Sequence, residues 1–126
     1  MKIKTTQFGE IEYTQDRVIS FEAGLFGFEE YKKFLLIKRE EDLFFWLTSI
    51  DEPEIVFPLF GVNILDDNYP AAEGNEPFAV VTLNSNPAEI TVNLKAPVYI
   101  DQDLKVGQQK ILDNDKYAVD YNLFIE

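Results

Sequence analysis

Hydrophobic and polar residues alternate along this chain in short runs, a pattern typical of β-strands. The strictest alternation lies between Ile90 and Ile100, where every even-numbered position is apolar and most odd-numbered positions are polar. Because successive strand side chains point to opposite faces, this segment predicts a strand with one core face and one polar face. At about 3.4 Å per residue it is too long for one flat strand, so Ala96–Pro97 is expected to mark a bend or bulge.

Eight apolar or alternating runs are separated by turn signals at intervals typical of an all-β protein. Antiparallel strands with short connections close most economically into a barrel or sandwich, so we expect a small, barrel-like, mainly antiparallel single domain over residues 1–126. Only residues 28–33, FEEYKK, are predicted to be helical. The eight runs are Phe8–Tyr13, Arg17–Phe21, Phe34–Lys38, Leu43–Ile50, Ile55–Val62, Phe78–Leu83, Ile90–Ile100 and Lys116–Phe124.

The run Leu43–Ile50 carries aromatic residues on both parities. Phe45 shares one face with its apolar neighbours, whereas Phe44 and Trp46 lie on the other. Either the strand is buried on both sides or Phe44 and Trp46 form a contact patch. We favour burial, with Phe45 in the core.

Charge is distributed unevenly. The chain has 23 acidic and 11 basic residues, a formal net charge of −12. Between Glu40 and Leu94 there are eleven acids and no lysine or arginine. Such a surface repels nucleic acid, which binds through cations, and it speeds the encounter with basic proteins. Alternatively, the high net charge only keeps a small protein soluble. Composition does not distinguish this role from the attraction of a basic partner.

The residues that usually carry catalysis are missing. Histidine and cysteine are absent, which removes the commonest general base, the thiol nucleophile and the thiolate metal site. We therefore expect that this protein is not an enzyme and that it holds no metal or cofactor. One alternative is a metal-dependent hydrolase built on Asp66, Asp67, Asp101 and Asp103, although acids at turns usually cap backbone donors.

Targeting signals are also lacking. No apolar run is long enough for a membrane span, and MKIKTTQFGE has no apolar signal-peptide region. Without cysteine, nothing favours an oxidising compartment. A cytoplasmic protein is expected.

Four segments resemble, in order, the FliW family of flagellar assembly factors, and together they cover nearly the whole chain. NPAEITVNLKAPVYID matches the most distinctive family segment, N-P-x-x-x-T-x-N-L-x-A-P-x-x-I. The other three are RVISFEAGLFGFEEYKKFLLI, LFFWLTSIDEPEIVFPL and QQKILDNDKYAVDYNLF. Two positions depart from the family pattern: Thr48 replaces a frequent glutamine, and Gly61 replaces a frequent proline.

The resemblance implies a binding protein. Members of the family bind CsrA, an RNA-binding translational repressor, and stop it from silencing flagellin messenger RNA, without competing for the RNA site. They also bind flagellin, so that secretion of flagellin frees them to sequester CsrA. An alternative of another class is an acidic nucleic-acid mimic that blocks the RNA-binding groove directly.

The candidate binding residues lie in two places. One is the acidic loop of residues 66–77, and the other is the polar face of the strand over residues 89–101, read as an exposed recognition strand. In the competing interpretation, Asn93 satisfies a neighbouring turn and Pro97 only shapes the barrel. The candidate protein-binding residues are Asp66, Asp67, Tyr69, Glu89, Asn93, Lys95 and Asp101.

Overall fold

The computed structural model describes residues 1–124, which form ten β-strands and three short 3-10 turns. No α-helix occurs within these residues. The 3-10 turns are Gln15–Arg17, Val62–Ile64 and Pro87–Glu89. The strands are β1 (Lys2–Thr5), β2 (Gly9–Glu12), β3 (Ile19–Ser20), β4 (Lys33–Ile37), β5 (Phe45–Ser49), β6 (Val56–Gly61), β7 (Glu76–Thr82), β8 (Thr91–Asp101), β9 (Val106–Gln109) and β10 (Tyr121–Asn122).

Seven of the strands close into a mixed barrel. Their hydrogen-bonded order is β8-β7-β6-β5-β4-β3-β9, and β9 returns to β8 to complete the ring. Every pair is antiparallel except β3 with β9, which is parallel and meets only at Ser20 and Val106. β10 pairs with the first residues of β8, while β1 and β2 form a separate hairpin. The expectation of an all-β, mainly antiparallel barrel is confirmed.

The helix expected over residues 28–33 is wrong. The amide of Phe28 donates to the carbonyl of Leu25 at 2.8 Å, and the amide of Tyr31 donates to the carbonyl of Phe28 at 3.1 Å. Each bond spans three residues, so the segment forms two consecutive turns and lacks the four-residue spacing of an α-helix. Lys33 already belongs to β4.

Two apolar clusters hold the fold together. One fills the barrel, and the other lies outside the wall formed by β6, β7 and β8. Adjacent residues on β6 show the division, because Leu59 faces the interior and Phe60 faces the outer cluster. The interior cluster comprises Ile19, Phe21, Leu25, Phe34, Leu47, Leu59, Phe78, Val98 and Ile100. The outer cluster comprises Phe60, Val62, Tyr69, Ala79, Val81, Ile90, Val92, Leu94 and Tyr117.

The pairing of β7 with β8 contains a large bulge. Val80 pairs with Asn93, and the next recorded pair is Phe78 with Val98. One residue of β7 therefore faces four residues of β8, Leu94–Pro97, an excess of three on β8. The bend or bulge expected at Ala96–Pro97 is confirmed.

This bulge changes which face of β8 each parity occupies. Strand side chains alternate with a period of two, so an odd number of extra residues moves the even positions to the other face. Val92 and Leu94 accordingly lie in the outer cluster, whereas Val98 and Ile100 lie inside the barrel. The expectation of a single core face along this strand is wrong for that reason.

β5 is covered on both sides, as expected. The ring of Phe45 packs toward the interior, edge-on to Phe78 at 5.1 Å between centroids. On the other side Phe44 and Trp46 pack against each other at 6.1 Å, and Trp46 also meets Phe8 at 6.2 Å. Because Phe8 lies in the turn between β1 and β2, the N-terminal hairpin covers this face. The side chains of Phe44, Phe45 and Trp46 are all half-buried.

Gly107 is required by the packing of the interior cluster. A Cβ at this position would lie 2.3 Å from Cζ of the buried Phe21 ring, far inside van der Waals contact. We expect Gly107→Ala to lower the free energy of unfolding by about 1–3 kcal/mol through overpacking. Urea denaturation measures the change.

Gly61→Ala is the matched control for that substitution. Gly61 is also in a strand, has negative φ, and a Cβ there would approach no atom closer than 3.8 Å. The free energy of unfolding of the Gly61→Ala variant should stay close to that of the parent. If Gly107→Ala unfolded at the same urea concentration as Gly61→Ala, the described packing of Phe21 on Gly107 would be wrong.

Candidate protein-binding surface

Asn93 closes the bulge of β8 from within the same strand. Its side-chain oxygen accepts hydrogen bonds from the amides of Lys95 and Ala96, both at 3.0 Å. These two amides belong to the stretch that has no partner on β7. The geometry therefore agrees with the interpretation in which Asn93 satisfies a neighbouring turn.

Lys95 holds the chain that follows β9. Its ammonium donates to the carbonyls of Leu112 and Asn114, at 2.9 and 2.7 Å. The carbonyl of Lys95 in turn accepts from the amide of Leu112 at 2.8 Å. Residues 110–124, called here the C-terminal strap, thus cross the polar side of β8. Asn93 and Lys95 are half-buried here, and a direct contact of either residue with a partner stays a prediction.

All peptide groups of Leu94–Pro97 that can form hydrogen bonds have a partner outside β7. Pro97 has no amide to satisfy, which suits it to a stretch without a ladder. The amides of Leu94, Lys95 and Ala96 donate to the carbonyl of Ala118 and, twice, to the Asn93 side chain. The carbonyls of Leu94, Lys95, Ala96 and Pro97 accept from the Tyr69 hydroxyl, the Leu112 amide, the Gln109 side chain and the Lys110 amide.

Tyr69 fastens the acidic loop to this bulge. Its side chain is 4% exposed, its hydroxyl donates to the carbonyl of Leu94, and its ring lies 4.7 Å from that of Tyr117. Burial raises the pKa of the Tyr69 phenol, and the nearby Tyr99, Tyr117 and Asp66 raise it further. The hydroxyl therefore stays protonated at neutral pH and acts as a hydrogen-bond donor. Tyr69 therefore holds the acidic loop against the bulge of β8.

Asp66 and Asp67 differ in their surroundings although they are neighbours. The carboxylate of Asp66 accepts from the Tyr117 hydroxyl at 3.2 Å and from the Asn68 amide at 2.9 Å. Asp67 is exposed, and the structure gives its side chain no hydrogen bond within residues 1–124. Asp66 therefore has a fixed orientation, whereas Asp67 contributes charge alone.

Of the other two candidate acids, Glu89 lies apart from this loop, whereas Asp101 lies beside its end: a Cβ on Gly74 would be 3.2 Å from the Asp101 carboxylate. Glu89 is exposed in the turn between β7 and β8, at the end of the barrel opposite the β6–β7 connection. Asp101 accepts from the amides of Asp103 and Leu104, both at 3.0 Å, and caps the turn between β8 and β9. The seven candidates therefore form no single patch. Asp66, Asp67 and Tyr69 lie together, with Lys95 and Asn93 supporting the bulge behind them.

Most of the acidic stretch has no neutralising cation. Within residues 1–124 the ion pairs are Lys2 with Glu10 at 3.4 Å and Arg39 with Asp42 at 2.9 Å. The hydrogen bond from Arg39 lowers the pKa of the Asp42 carboxyl. Of the eleven acids between Glu40 and Leu94, Asp42 is thus the one described with an ion-pair partner. The remainder present uncompensated negative charge to solvent.

No group of three or more acidic, histidine or cysteine side chains is placed to hold a metal ion within the described part of the chain. In that part, no helix has the length and apolar character needed to cross a membrane.

The sequence interpretation missed a cleft between the loop and the strap. It has a volume of about 300 Å³, and its walls include Asp66, Tyr69, Tyr117 and Tyr121. The sequence signal for this cleft is the pair of tyrosines, Tyr117 and Tyr121, in Lys116–Phe124, a run whose alternation predicts only a strand. In the structure just Tyr121 and Asn122 of that run pair with β8.

Comparison with known proteins gives a consistent result. A family model described as "FliW protein" matches residues 2–76 and 71–123. A flagellar assembly factor FliW from Caldanaerobacter subterraneus is 37% identical over 142 residues, covering 100% of this chain and 95% of the relative. One from Lachnospira eligens is 32% identical over 143 residues, covering 98% and 95%. A crystal structure of the flagellar assembly factor FliW superposes with a TM-score of 0.86 at 28% identity, covering 99% of this chain and 98% of that one.

The roles of Asn93 and Lys95 predict a loss of stability when either is truncated. Asn93→Ala should cost about 1–3 kcal/mol because two partly buried amides lose their acceptor. Lys95→Ala should cost a similar amount because two carbonyls of the strap lose a charged donor. Thermal unfolding measures both. Glu89→Ala, at an exposed position on the preceding turn, is the control and should unfold like the parent. Parent-like unfolding of both Asn93→Ala and Lys95→Ala would contradict the assignment.

Proposed function

Because this chain belongs to the FliW family of non-enzymatic flagellar assembly factors, we propose that it acts by binding two proteins in turn, CsrA and flagellin. In this proposal it withholds CsrA from flagellin messenger RNA, and flagellin competes for it. Secretion of flagellin then frees the protein to sequester CsrA, so that synthesis follows assembly. The site of action is the bacterial cytoplasm.

The observation that carries the CsrA part is the uncompensated acidic surface. A repressor that binds RNA needs basic surface, because cations must replace the counterions of the phosphates. The eleven acids from Glu40 to Glu89, of which Asp42 is the one described in an ion pair, match such a partner in sign. Complementary charge raises the encounter rate and disfavours acidic competitors.

The geometry supports contacts on the acidic loop. Asp66 and Asp67 are held above the outer cluster by Tyr69, and Glu73 follows on the same connection. We propose these carboxylates as partner contacts, with Asp101 beside the end of the same loop and Glu89 at a more distant point of the surface. Asn93, Lys95 and Tyr69 contribute by holding the loop and the strap in place.

The same acidity fits a second candidate, a nucleic-acid mimic whose carboxylates occupy the RNA groove of the repressor. The two mechanisms differ when RNA is present. A mimic and RNA exclude each other on CsrA, whereas a noncompetitive antagonist forms a transient ternary complex. Surface plasmon resonance on CsrA already saturated with RNA separates them, because only a noncompetitive antagonist gives a further rise in signal before RNA leaves.

We expect the association of this protein with purified CsrA to depend strongly on salt. Raising the salt concentration from about 0.01 M to about 0.15 M shortens the screening length from about 30 to about 8 Å. The association rate constant should fall by about tenfold or more over this range, while the dissociation rate changes less. Stopped-flow or biosensor kinetics measures both. An association rate that ignores salt would sink the electrostatic part of the proposal.

A further inference from the structure

The cleft beside the acidic loop has the shape and chemistry of a receptor for one side chain. It lies between the loop that follows β6 and the C-terminal strap, and its volume is about 300 Å³. Tyr69 and Tyr117 form one wall, with ring centroids 4.7 Å apart and planes inclined at 60°. Tyr121, which is 37% exposed, stands at the edge of the cleft. Tyr69 and Tyr117 are 4% and 9% exposed, so they form a buried aromatic wall, and Tyr121 is the ring of the three that reaches solvent.

A carboxylate without an ion-pair partner lies in the same cavity. Asp66 is oriented by the Tyr117 hydroxyl and the Asn68 amide, and no cation lies within 4.0 Å of it among residues 1–124. A carboxylate can accept more hydrogen bonds than these two, so acceptor capacity remains. A fixed carboxylate beside aromatic faces suits a cation that carries several donors.

The rim of the cleft adds apolar contact area. Leu65 lines it and is 37% exposed, and the adjacent Ile64 is 75% exposed. Exposed apolar residues around a polar centre are the arrangement of an interface anchor, in which the rim excludes water from the central contact. The occupant therefore belongs to a protein surface with apolar neighbours around a basic residue.

We propose that this cleft binds a single arginine side chain of the protein partner, and that the partner is the basic repressor CsrA. The planar guanidinium stacks against the exposed Tyr121 ring and donates to the carboxylate of Asp66. This inference rests on the proposed function for the identity of the partner, but the pocket itself rests on the geometry.

Lys116 competes with such a ligand from inside the molecule. It also lines the cleft, and its ammonium lies 5.3 Å from the centre of the Tyr117 ring. Its side chain is exposed and forms no ion pair with Asp66, so it can swing away. Removing its charge should favour an incoming cation, whereas removing the charge of Asp66 should disfavour it.

The main test compares Asp66→Asn with Asp67→Asn for binding to purified CsrA. Both substitutions remove one negative charge from adjacent positions, so they alter the long-range field equally. Asparagine keeps one acceptor oxygen for the Asn68 amide, and its NH2 group can donate to the Tyr117 hydroxyl, so the contacts of residue 66 are retained with one bond reversed. Thermal unfolding verifies that the fold is intact. Asp66→Asn should weaken binding about tenfold, as expected for a lost charged hydrogen bond, and Asp67→Asn by no more than about twofold. Equal effects would overturn the proposal.

Lys116→Gln gives the opposite sign and tests the internal competition. It should strengthen CsrA binding by about two- to threefold, in the range of an exposed charge–charge interaction. If this region had only a structural role, Asp66→Asn and Lys116→Gln would not change CsrA binding in opposite directions. Unchanged or weaker binding by this variant would contradict the role given to Lys116.

A second measurement does not need CsrA. N-methylguanidinium, titrated at millimolar concentration, should shift the amide resonances of Asp66, Tyr117 and Tyr121 in the parent and not in Asp66→Asn. If the parent failed to bind CsrA but gave these shifts, the proposed function would fail and the pocket would stand. If the parent bound CsrA but Asp66→Asn bound it equally and no shifts occurred, the pocket would fail and the proposed function would stand.

Discussion

The hydrogen-bonding requirement of four peptide units, Leu94–Pro97, determines how the outer half of this molecule is arranged. These units lie opposite a single residue of β7 and have no ladder partner there. A buried peptide group without a partner costs free energy comparable to a lost hydrogen bond, so each must be satisfied from elsewhere. Asn93, Gln109, Tyr69 and the C-terminal strap supply those partners.

Several features follow from the same bulge. The odd excess of residues moves Val92 and Leu94 to the outside and Val98 and Ile100 to the inside, so that one strand serves both apolar clusters. The strap covers the outer cluster because its backbone is required at the bulge. The acidic loop takes its position because Tyr69 reaches the carbonyl of Leu94. The cleft with Asp66 is thus built on contacts that begin as structural necessities.

The sequence predicted the parts of this arrangement that depend on local pattern. Alternation located most of the barrel strands, and Ala96–Pro97 marked the bulge. The exchange of core and outer faces along β8 was not predicted, because the alternation within one strand does not determine its register with the neighbouring strand. β9 also escaped, since Val106–Gln109 is short, half polar and follows a turn signal. Residues 28–33 combine good helix formers, yet the turns at Leu25–Phe28 and Phe28–Tyr31 and the early start of β4 leave no room for a helix. Asn93 and Lys95 fit a recognition face by chemistry alone, and only their distances to the backbone assign them to structure.

Native-state hydrogen exchange at the amides of Lys95 and Ala96 tests the central claim most directly. Both amides lack a strand partner, and the account assigns their protection to the side chain of Asn93. They should exchange as slowly as the amide of Thr91, which lies earlier on β8 where that strand is paired with Thr82 of β7. If Lys95 and Ala96 exchanged at the rate of unprotected amides while Thr91 stayed protected, the bulge would be open to solvent, which would contradict the role given to Asn93.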